Sequence, residues 1–506
     1  MKTYLTLALS GVVLALGAGL TSPAQAETTF RIALSAGPPS QGNPYPGGAT
    51  TANFVWPTIY DSLTRIDNNG TVQPWLALSW QHVTDTEWHF KLRPGVTFSN
   101  GEPFNAAAVK ATFDRLRTDD AQGYLWNRQA TYYPRVDLVD DMTVAIHTDK
   151  PNAMMAAYLT TLYFTAPAHT AEVGFQGLFN DPVGTGPFVM DRWGADRATF
   201  SANPQSWNPP KVDQFEAVFV PDASARLQAL ETNQVDVAAV ISTDQIGLLE
   251  RNGHRAVMRN PSRLLVVALQ TQDPALPLAD VRVRQALNYA VNRAVITQIL
   301  LADLVQPASQ PAVPMGLGYD PTLEPYAYDP DKARQLLADA GYPDGFAFTL
   351  ETVAGFMPND AAILQQIASD LKRVGVDLDI RLITYPQLVR STLGGELGGQ
   401  ALLADFFNNS GDALRPMLPT TNHACGGLKP WYCDAEIQAV IGEAEVTLDL
   451  DKRKALTQQV IRHYRDQASS LFLFPVVGLD GVHKRVTHWE PWNDILNPHL
   501  IDVEPR

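Results

Sequence analysis

Few side chains in this sequence stand at spacings that support catalysis. The ten histidines are scattered along the chain, and no His-Glu-x-x-His, Gly-x-Ser-x-Gly, Gly-rich phosphate loop or Cys-x-x-Cys motif occurs. Adjacent carboxylates occur at 119–120 and 140–141, but neighbouring side chains on a strand point apart, which favours solvated turns over an acid–base pair. Because triads are defined by geometry, missing motifs are weak evidence alone. We assign no catalytic residue, and a hydrolase is the remote alternative.

The two cysteines, Cys425 and Cys433, lie in one short segment that also contains glycine and proline. An even cysteine count in an exported chain favours a disulfide that closes this loop. The alternative is a metal-binding or nucleophilic thiol, for which the segment lacks the usual spacing.

The first 26 residues predict export. Lys2 precedes an apolar stretch over residues 5–20, and the small-x-small site Ala24-Gln25-Ala26 follows. We therefore expect a secretory signal peptide, cleaved before Glu27, and the alternative is an uncleaved anchor. No cysteine stands at the cleavage site, so a lipid anchor is not expected.

Composition excludes other classes of function. The chain has 506 residues, and 53 acidic against 38 basic side chains give a formal net charge of -15. Such a surface repels phosphate backbones, so nucleic acid is not an expected partner. A hydrophobic content of 45% is that of a globular protein, and the length allows about three domains, or two lobes with elaborations. After residue 30, no apolar run approaches the length that spans a bilayer.

Alternating strand and helix patterns predict an α/β protein. A helix begins at Asp329-Pro330, and Gly341 fits the left-handed position after its end. A strand over 346–352, a helix after Asn359 or Asp360 and a strand over 376–383 form a βαβ unit with a parallel sheet. Further predicted elements are helices over 222–234, 449–468 and from Asp280 through Val295, and strands over 235–241 and 470–477.

Residues 54–150 differ from this pattern. Short alternating runs broken by Asn-Gly turns predict antiparallel strands, with one helix over about 105–117. The sequence thus predicts α/β material on both sides of a β-rich insertion.

An ordered set of motifs extends over nearly the whole chain after residue 26. They are Tyr60-Asp-Ser-Leu63, Pro74-Trp-Leu-Ala-Leu-Ser-Trp80, Trp88-His-Phe-Lys-Leu-Arg-Pro-Gly-Val-Thr-Phe98, Asn100-Gly-Glu-Pro-Phe104, Asp181-Pro-Val-Gly-Thr-Gly-Pro-Phe188, Asn203-Pro-Gln-Ser-Trp207, Arg226-Leu-Gln-Ala-Leu230, Val281-Arg-Val-Arg-Gln-Ala-Leu-Asn-Tyr-Ala290 and Tyr328-Asp-Pro-Asp-Lys-Ala-Arg-Gln-Leu-Leu337. Each motif alone is weak. Together they resemble the family 5 extracellular solute-binding proteins of ABC importers, the dipeptide, oligopeptide and nickel type.

The resemblance implies the two-lobed α/β fold of periplasmic binding proteins, cluster C type, with an additional β-rich subdomain. Most of the motifs are expected to be structural, and Gly184, Gly186 and Pro187 are expected to shape a tight crossing between subdomain and lobe. The implied divisions are a signal peptide at 1–26, lobe I at 27–60, 185–268 and 479–506, the subdomain at 61–184, and lobe II at 269–478.

The function implied by the resemblance is binding without chemistry. A monomeric periplasmic protein would close two lobes around a small solute, peptide or peptide-like, and deliver it to an inner-membrane permease. No cofactor is expected. Metal chelates and opine-like or glutathione-like compounds are alternative ligands, and receptor-linked sensing would use the same binding event.

The resemblance also implies where a ligand lies. The expected walls are the loop at 35–45, the segment at 404–415 and the subdomain near Trp126. The candidate ligand-binding residues are Tyr45, Trp126, Phe406, Phe407, Asn408, Asn409, Asp412 and His423. For the aromatic residues, core packing is the alternative role, and for Asp412 it is helix capping.

Two departures from the family pattern bear on the ligand. Peptide-binding members pair the ligand's ammonium with an acid where this chain has Asn409, so Asp405 or Asp412 would have to substitute. The carboxylate-binding arginines of the nickel type are replaced by Gly123 and Tyr163, and Arg128 or Arg135 could act instead. His423 falls near that type's metal-contacting histidine, so it is a possible contact to a metal chelate, although no metal site is assigned.

Overall fold

The computed structural model describes residues 27–47, 51–130, 132–354, 356–394, 398–407, 410–418, 421–426 and 429–504. The predicted signal peptide and the candidate residues Asn408 and Asn409 lie outside the described residues. Over the ranges described, no helix combines the length and apolar character needed to cross a bilayer.

Twenty strands are described. They are β1 (Thr29–Leu34), β2 (Thr64–Ile66), β3 (Val72–Pro74), β4 (Ala77–Thr84), β5 (Glu87–Leu92), β6 (Arg135–Asp140), β7 (Thr143–His147), β8 (Phe188–Trp193), β9 (Arg197–Ala202), β10 (Gln214–Phe219), β11 (Val237–Ala238), β12 (Arg255–Arg259), β13 (Arg263–Leu269), β14 (Phe346–Thr352), β15 (Val376–Leu382), β16 (Ala401–Phe407), β17 (Ser470–Pro475), β18 (Gly478–Val482), β19 (Val486–His488) and β20 (Asp502–Val503).

The described α-helices are α1 (Ala52–Ile59), α2 (Ala106–Leu116), α3 (Leu125–Ala130), α4 (Met155–Tyr158), α5 (Pro167–Gly177), α6 (Ala223–Glu231), α7 (Ile246–Arg251), α8 (Val281–Ala290), α9 (Arg293–Val295), α10 (Pro330–Asp339), α11 (Asp360–Lys372), α12 (Tyr385–Gly394), α13 (Ala435–Val446) and α14 (Leu450–Asp466). A π-helical turn, Ile296–Leu300, follows α9, and a 3₁₀ turn, Arg415–Met417, follows β16.

Two mixed sheets form the body of the molecule. The first has the order β12-β18-β11-β1-β10-β9-β8, and the second has the order β15-β14-β16-β13-β17. In the first sheet β1 is parallel to β10 and β11, and β12 runs in the same direction because β11 and β12 are both antiparallel to β18. In the second, β14 is parallel to β15 and β16.

The chain crosses between the sheets twice. Residues 260–262 join β12 to β13, and residues 476–477 join β17 to β18. The strands that flank the crossings pair on either side of them, β12 with β18 and β13 with β17. Because β13 belongs to the second sheet, the first crossing precedes position 268/269, where the resemblance implies a boundary, and the second crossing lies next to position 478/479. The implied lobe divisions stay a prediction.

Buried ion pairs fix the first sheet at the crossing. Arg259 contacts Asp480 (Nε–Oδ2 3.2 Å) and also pairs with Asp494. The Ser262 hydroxyl donates to Asp494 at 2.9 Å. Paired and hydrogen-bonded in this way, the buried charges avoid an uncompensated desolvation cost.

The β-rich region is a separate antiparallel sheet of order β4-β5-β7-β6, as the alternating runs predicted. Helix α2 packs on it, beginning where Asn105 accepts a hydrogen bond from the Ala108 amide. Buried Asp61 joins this region to the first sheet's flank, accepting bonds from Trp75 Nε1 (2.6 Å), Thr185 Oγ1 (2.9 Å) and Trp207 Nε1 (3.0 Å).

The local expectations are largely confirmed. β14, α11 and β15 form the expected parallel βαβ unit, and Gly341 has a φ of +92° after α10. The helix expected from Asp280 through Val295 instead ends at Ala290, because Val291 is extended and Asn292 caps a new turn. β11 is shorter than expected because Val240 turns the chain with a φ of 55°.

The expected tight crossing at Gly184 and Gly186 is confirmed. A Cβ on Gly184 would lie 2.0 Å from the Ile59 carbonyl oxygen, and a Cβ on Gly186 would lie 2.5 Å from the Ile59 carbonyl carbon. The Gly186 amide also donates to the Ile59 oxygen at 2.9 Å. Any larger residue would force these backbone segments apart.

Gly184→Ala is therefore expected to lower the free energy of unfolding by more than about 2 kcal/mol, or to prevent folding, because the clash is with backbone. Urea unfolding followed by tryptophan fluorescence measures this. Gly442→Ala, in open space on α13, is the matched control and should raise stability by about 0.5–1 kcal/mol. Equal stability of the Gly184 variant and wild type would contradict the role assigned to the crossing.

Candidate ligand-binding cleft

The carboxyl ends of the parallel strands in both sheets lie at the edge where the chain crosses. In the first sheet these ends are Leu34, Phe219 and Ala238, and in the second they are Thr352 and Phe407. The loops that leave these strands therefore gather between the two halves. Crevices at the carboxyl ends of parallel strands are where α/β proteins bind ligands.

On the first half, the loop after β1 forms one side of the cleft. An open cavity of about 420 Å³ is lined by Gly37, Pro38, Trp193, Ala195 and Phe219 among others. Further along the loop, Tyr45 is buried and its hydroxyl donates to the Tyr163 carbonyl at 3.2 Å. Burial raises the pKa of Tyr45 to about 12, so it stays protonated at physiological pH.

Trp126 lies beside Tyr45, as its backbone amide donates to the Tyr45 carbonyl at 3.3 Å. Its side chain is 4% exposed and belongs to the same apolar cluster as Tyr45 and Phe175. The structure thus brings these two candidates together in subdomain packing. Their role as ligand contacts stays a prediction.

On the second half, β16 ends at the cleft with alternating side chains. Phe406 is fully buried in the core, whereas Phe407 is 50% exposed at the edge. The guanidinium of Arg263 lies 5.9 Å from the Phe407 ring centre and donates to Asp405 Oδ2 at 2.8 Å. Burial raises the pKa of Asp405, and Arg263 acts in the opposite direction.

Asp412, one of the two possible substitutes for the missing acid, is engaged inside the protein. Its Oδ2 accepts from Tyr158 Oη at 2.6 Å and from Arg453 Nη2 at 2.9 Å, and its Oδ1 caps the Leu414 amide at 3.1 Å. Asp405 is likewise occupied by Arg263. Each of these acids thus already has a cationic partner, Arg453 buried and Arg263 partly exposed.

His423 lies in an aromatic stack rather than on the surface. Its ring centre is 4.2 Å from that of Phe406 and 5.0 Å from that of Trp431. Burial lowers its pKa to about 3, so the ring is neutral at physiological pH. The predicted disulfide between Cys425 and Cys433 is confirmed and closes the loop that carries Trp431.

His423 predicts a defined acid sensitivity. The unfolded chain takes up a proton near pH 6.5, whereas the folded protein does so only near pH 3, so His423 costs stability progressively as pH falls between these values. His423→Gln should therefore flatten the decline of unfolding free energy over this window, by up to about 1.4 kcal/mol per pH unit. Urea melts from pH 7 to 4 measure this, and parallel curves for variant and wild type would contradict it.

The two halves touch on both sides of the cleft. On one side, Thr243 Oγ1 donates to the Leu300 carbonyl at 2.9 Å and accepts from Asn359 Nδ2 at 3.1 Å. On the other, Tyr158 reaches Asp412, and Lys150 forms an ion pair with Glu445 at 2.7 Å. These contacts join the subdomain and first sheet to the second lobe around the cleft.

Arg263 and Arg415 are further charged residues at the cleft, and the sequence did not single them out. Arg415 begins the 3₁₀ turn after Asp412, and its guanidinium carbon lies 5.0 Å from the Tyr158 ring centre, across the interface with the subdomain. Arg135, a suggested carboxylate-binding residue, pairs with Asp137 on the four-stranded sheet. Among the described residues, no group of three or more His, Cys, Asp or Glu side chains could hold a metal ion.

Comparison with solved structures agrees with this architecture. The ABC transporter-associated periplasmic binding protein DppA from Helicobacter pylori, in complex with the peptide STSA, superimposes with a TM-score of 0.80, covering 95% of this chain and 99% of that one at 21% identity. NikA from Brucella suis, in complex with Fe(III)-EDTA, gives a TM-score of 0.79 with 94% and 100% coverage at 23% identity. The fold is the two-lobed one of periplasmic binding proteins, as predicted.

Sequence relatives identify the family. The model of the bacterial extracellular solute-binding proteins, family 5 (middle), matches residues 71–417. The glutathione-binding protein GsiB of Escherichia coli (strain K12) is 30% identical over 399 residues, 75% of this chain and 76% of that protein. Di/tripeptide-binding protein 2 of Pseudomonas aeruginosa (strain UCBPP-PA14) is 27% identical over 463 residues, 85% and 86% of the two chains.

The chain belongs to the family 5 extracellular solute-binding proteins. The predicted class of function, solute binding for an ABC importer, is confirmed. These relatives are binding proteins of transporters and not enzymes.

Proposed function

We propose that this protein captures a peptide or a peptide-like compound such as glutathione between its two lobes and releases it unchanged to an inner-membrane permease. The observation that carries the proposal is the pair of facing carboxyl edges, joined by two short crossings and bridged on both sides of the cleft. A ligand that contacts both edges stabilises the closed arrangement by its differential affinity for that state.

The names of the relatives support this class of ligand. GsiB is a glutathione-binding protein and the Pseudomonas relative is a di/tripeptide-binding protein. Both ligand classes consist of amino acids joined through amides and carry carboxylates. The guanidinium group of Arg415 at the cleft suits such anions, whereas Arg263 and the buried acids there are already paired.

The metal-chelate alternative has less support from the site. His423 is enclosed by Phe406 and Trp431 and is 6% exposed, which leaves its ring little access to a chelated ion. A chelate held only through its organic carboxylates could still bind Arg415. Nickel–histidine therefore belongs in the ligand panel.

We further propose that the protein is exported by its N-terminal signal peptide, acts as a monomer in the periplasm without a lipid anchor, and has no catalytic activity and no nucleic-acid partner. The net charge of -15 and the disulfide support these assignments. Under this proposal Asn408 and Asn409 contribute to ligand binding together with Phe407.

A thermal-shift panel tests the ligand class. Glutathione, Ala-Ala, tri-alanine, nickel–histidine and, as a control, free alanine are compared at millimolar concentration. A ligand present at 100 times its Kd adds about 2.7 kcal/mol to stability and raises Tm measurably. We expect a shift with glutathione or a short peptide and none with alanine. A shift with nickel–histidine alone would replace the peptide assignment by a chelate.

Closure is tested separately by small-angle X-ray scattering. The compound that raises Tm is expected to reduce the radius of gyration, because the lobes close around it. Superimposable scattering with and without that compound at saturation would contradict hinge closure even where binding is real. Chromatography of the mixture before and after incubation checks that the compound is recovered unchanged.

A further inference from the structure

Arg415 is a partly buried cation that has no polar side-chain partner among the described residues. In the part of the chain that the structure describes, its guanidinium makes no ion pair or hydrogen bond, and its contact is with the ring of Tyr158 at 5.0 Å. None of its nitrogens is sealed from solvent, since none is among the buried unsatisfied atoms. The donors of Arg415 are thus both accessible and unused.

The other arginines near this position are occupied. Arg453 is buried, binds Asp412 at 2.9 Å and donates to the Ala444 carbonyl. Arg263 is held by Asp405 at 2.8 Å. Arg415 therefore differs from its neighbours in lacking the acid that normally accompanies a partly buried guanidinium.

The surroundings hold Arg415 at the boundary between the lobes. Asp412, three residues earlier, is fixed by Arg453 and Tyr158, and the Arg415 amide donates to the Asp412 carbonyl at 3.3 Å. Across the boundary, the charge of Arg415 reaches the buried hydroxyls of Tyr133 and Tyr158, where it opposes the rise in pKa that burial causes. A guanidinium positioned in advance loses little entropy when it binds an anion.

We propose that Arg415 is the specificity-determining residue that binds a carboxylate of the captured solute. The inference rests on the proposed function and adds to it that recognition in this cleft begins with the anionic end of the ligand. The preference for an anionic group follows from the charges at the lobe boundary. Arg415 is an available cation there, whereas Asp405 and Asp412 are already paired. The planar guanidinium and a carboxylate form two parallel hydrogen bonds, which no ester or amide reproduces.

Isothermal titration calorimetry on the full chain tests this with four probes: glutathione, glutathione diethyl ester, Ala-Ala and Ala-Ala amide. For each free acid that wild type binds, Arg415→Gln should raise Kd about 10- to 100-fold, the range for a charge-assisted hydrogen bond. The corresponding ester or amide, in which the carboxylate is blocked, should bind wild type as weakly as the free acid binds the variant. The variant should bind each free acid and its blocked derivative equally. Arg415→Lys should recover part of the affinity.

Two controls separate recognition from structure. Arg255 is an exposed arginine on β12 that makes no ion pair among the described residues. Arg255→Gln should therefore leave Kd within about twofold. Tyr158→Phe removes the 2.6 Å hydrogen bond to Asp412 but keeps the ring beside Arg415, and its effect should be equal for free and blocked probes.

The outcomes are distinguishable. Equal binding of the free acids by wild type and Arg415→Gln overturns the inference and leaves the proposed function intact. A loss of the same size for free and blocked probes also overturns it, because Arg415 would then act through Tyr158. If wild type binds neither glutathione nor Ala-Ala, the proposed ligand class fails and the inference fails with it.

Discussion

The two strand crossings are the constraint on which the rest of the structure depends. Each crossing is only two or three residues long, and the strands on both sides of it stay hydrogen-bonded, β12 to β18 and β13 to β17. The Val476 amide donates to the Arg263 carbonyl at 2.9 Å within this junction. Two sheets joined in this way can tilt but cannot separate, so their carboxyl edges continue to face each other. The loops after β1, β14 and β16 then meet in one cleft.

The polar contacts between described residues across the cleft are of different kinds. Lys150 and Glu445 form a partly exposed pair, and such pairs contribute about 0–1 kcal/mol. The hydrogen bond from Tyr158 to Asp412 is buried, but Asp412 keeps Arg453 as a partner when the lobes part. Closing and opening therefore involve little change in the pairing of buried charge. That balance suits a protein that must both capture and release its cargo.

The distribution of charge in the cleft bears on selectivity. The second lobe contributes Asp405, Asp412, Arg453 and Arg415, of which the first three are matched inside the protein. A buried charge without a partner is costly, so an approaching ligand is favoured when its own charge complements the remaining one. Under the proposed role of Arg415, the cleft selects against solutes that offer only an ammonium group to it.

Much of the architecture follows from local sequence. The caps and glycines around α10 and the apolar alternation of β14 and β15 are properties of neighbouring residues, and the structure confirms them. The disulfide could also be predicted from the sequence, because two cysteines in an exported chain can form only one pair. By contrast, the division implied by the resemblance left most of β13 with the first lobe. Nothing in Arg263 and the six apolar residues after it tells which sheet the strand joins.

The site depends on contacts that only the folded chain makes. His423, a loop residue by sequence, becomes a neutral member of an aromatic stack because Phe406 and Trp431 enclose it. Asp412 is fixed by Tyr158, which lies 254 residues away. Arg415 matters for the proposed function because no acid among the described residues pairs with it. The sequence by itself determined the class of protein, since its short motifs encode local turns and caps and their ordered set resembles one family. Tertiary structure decided which charges are paired and which remain available, because pairing depends on distances between remote segments.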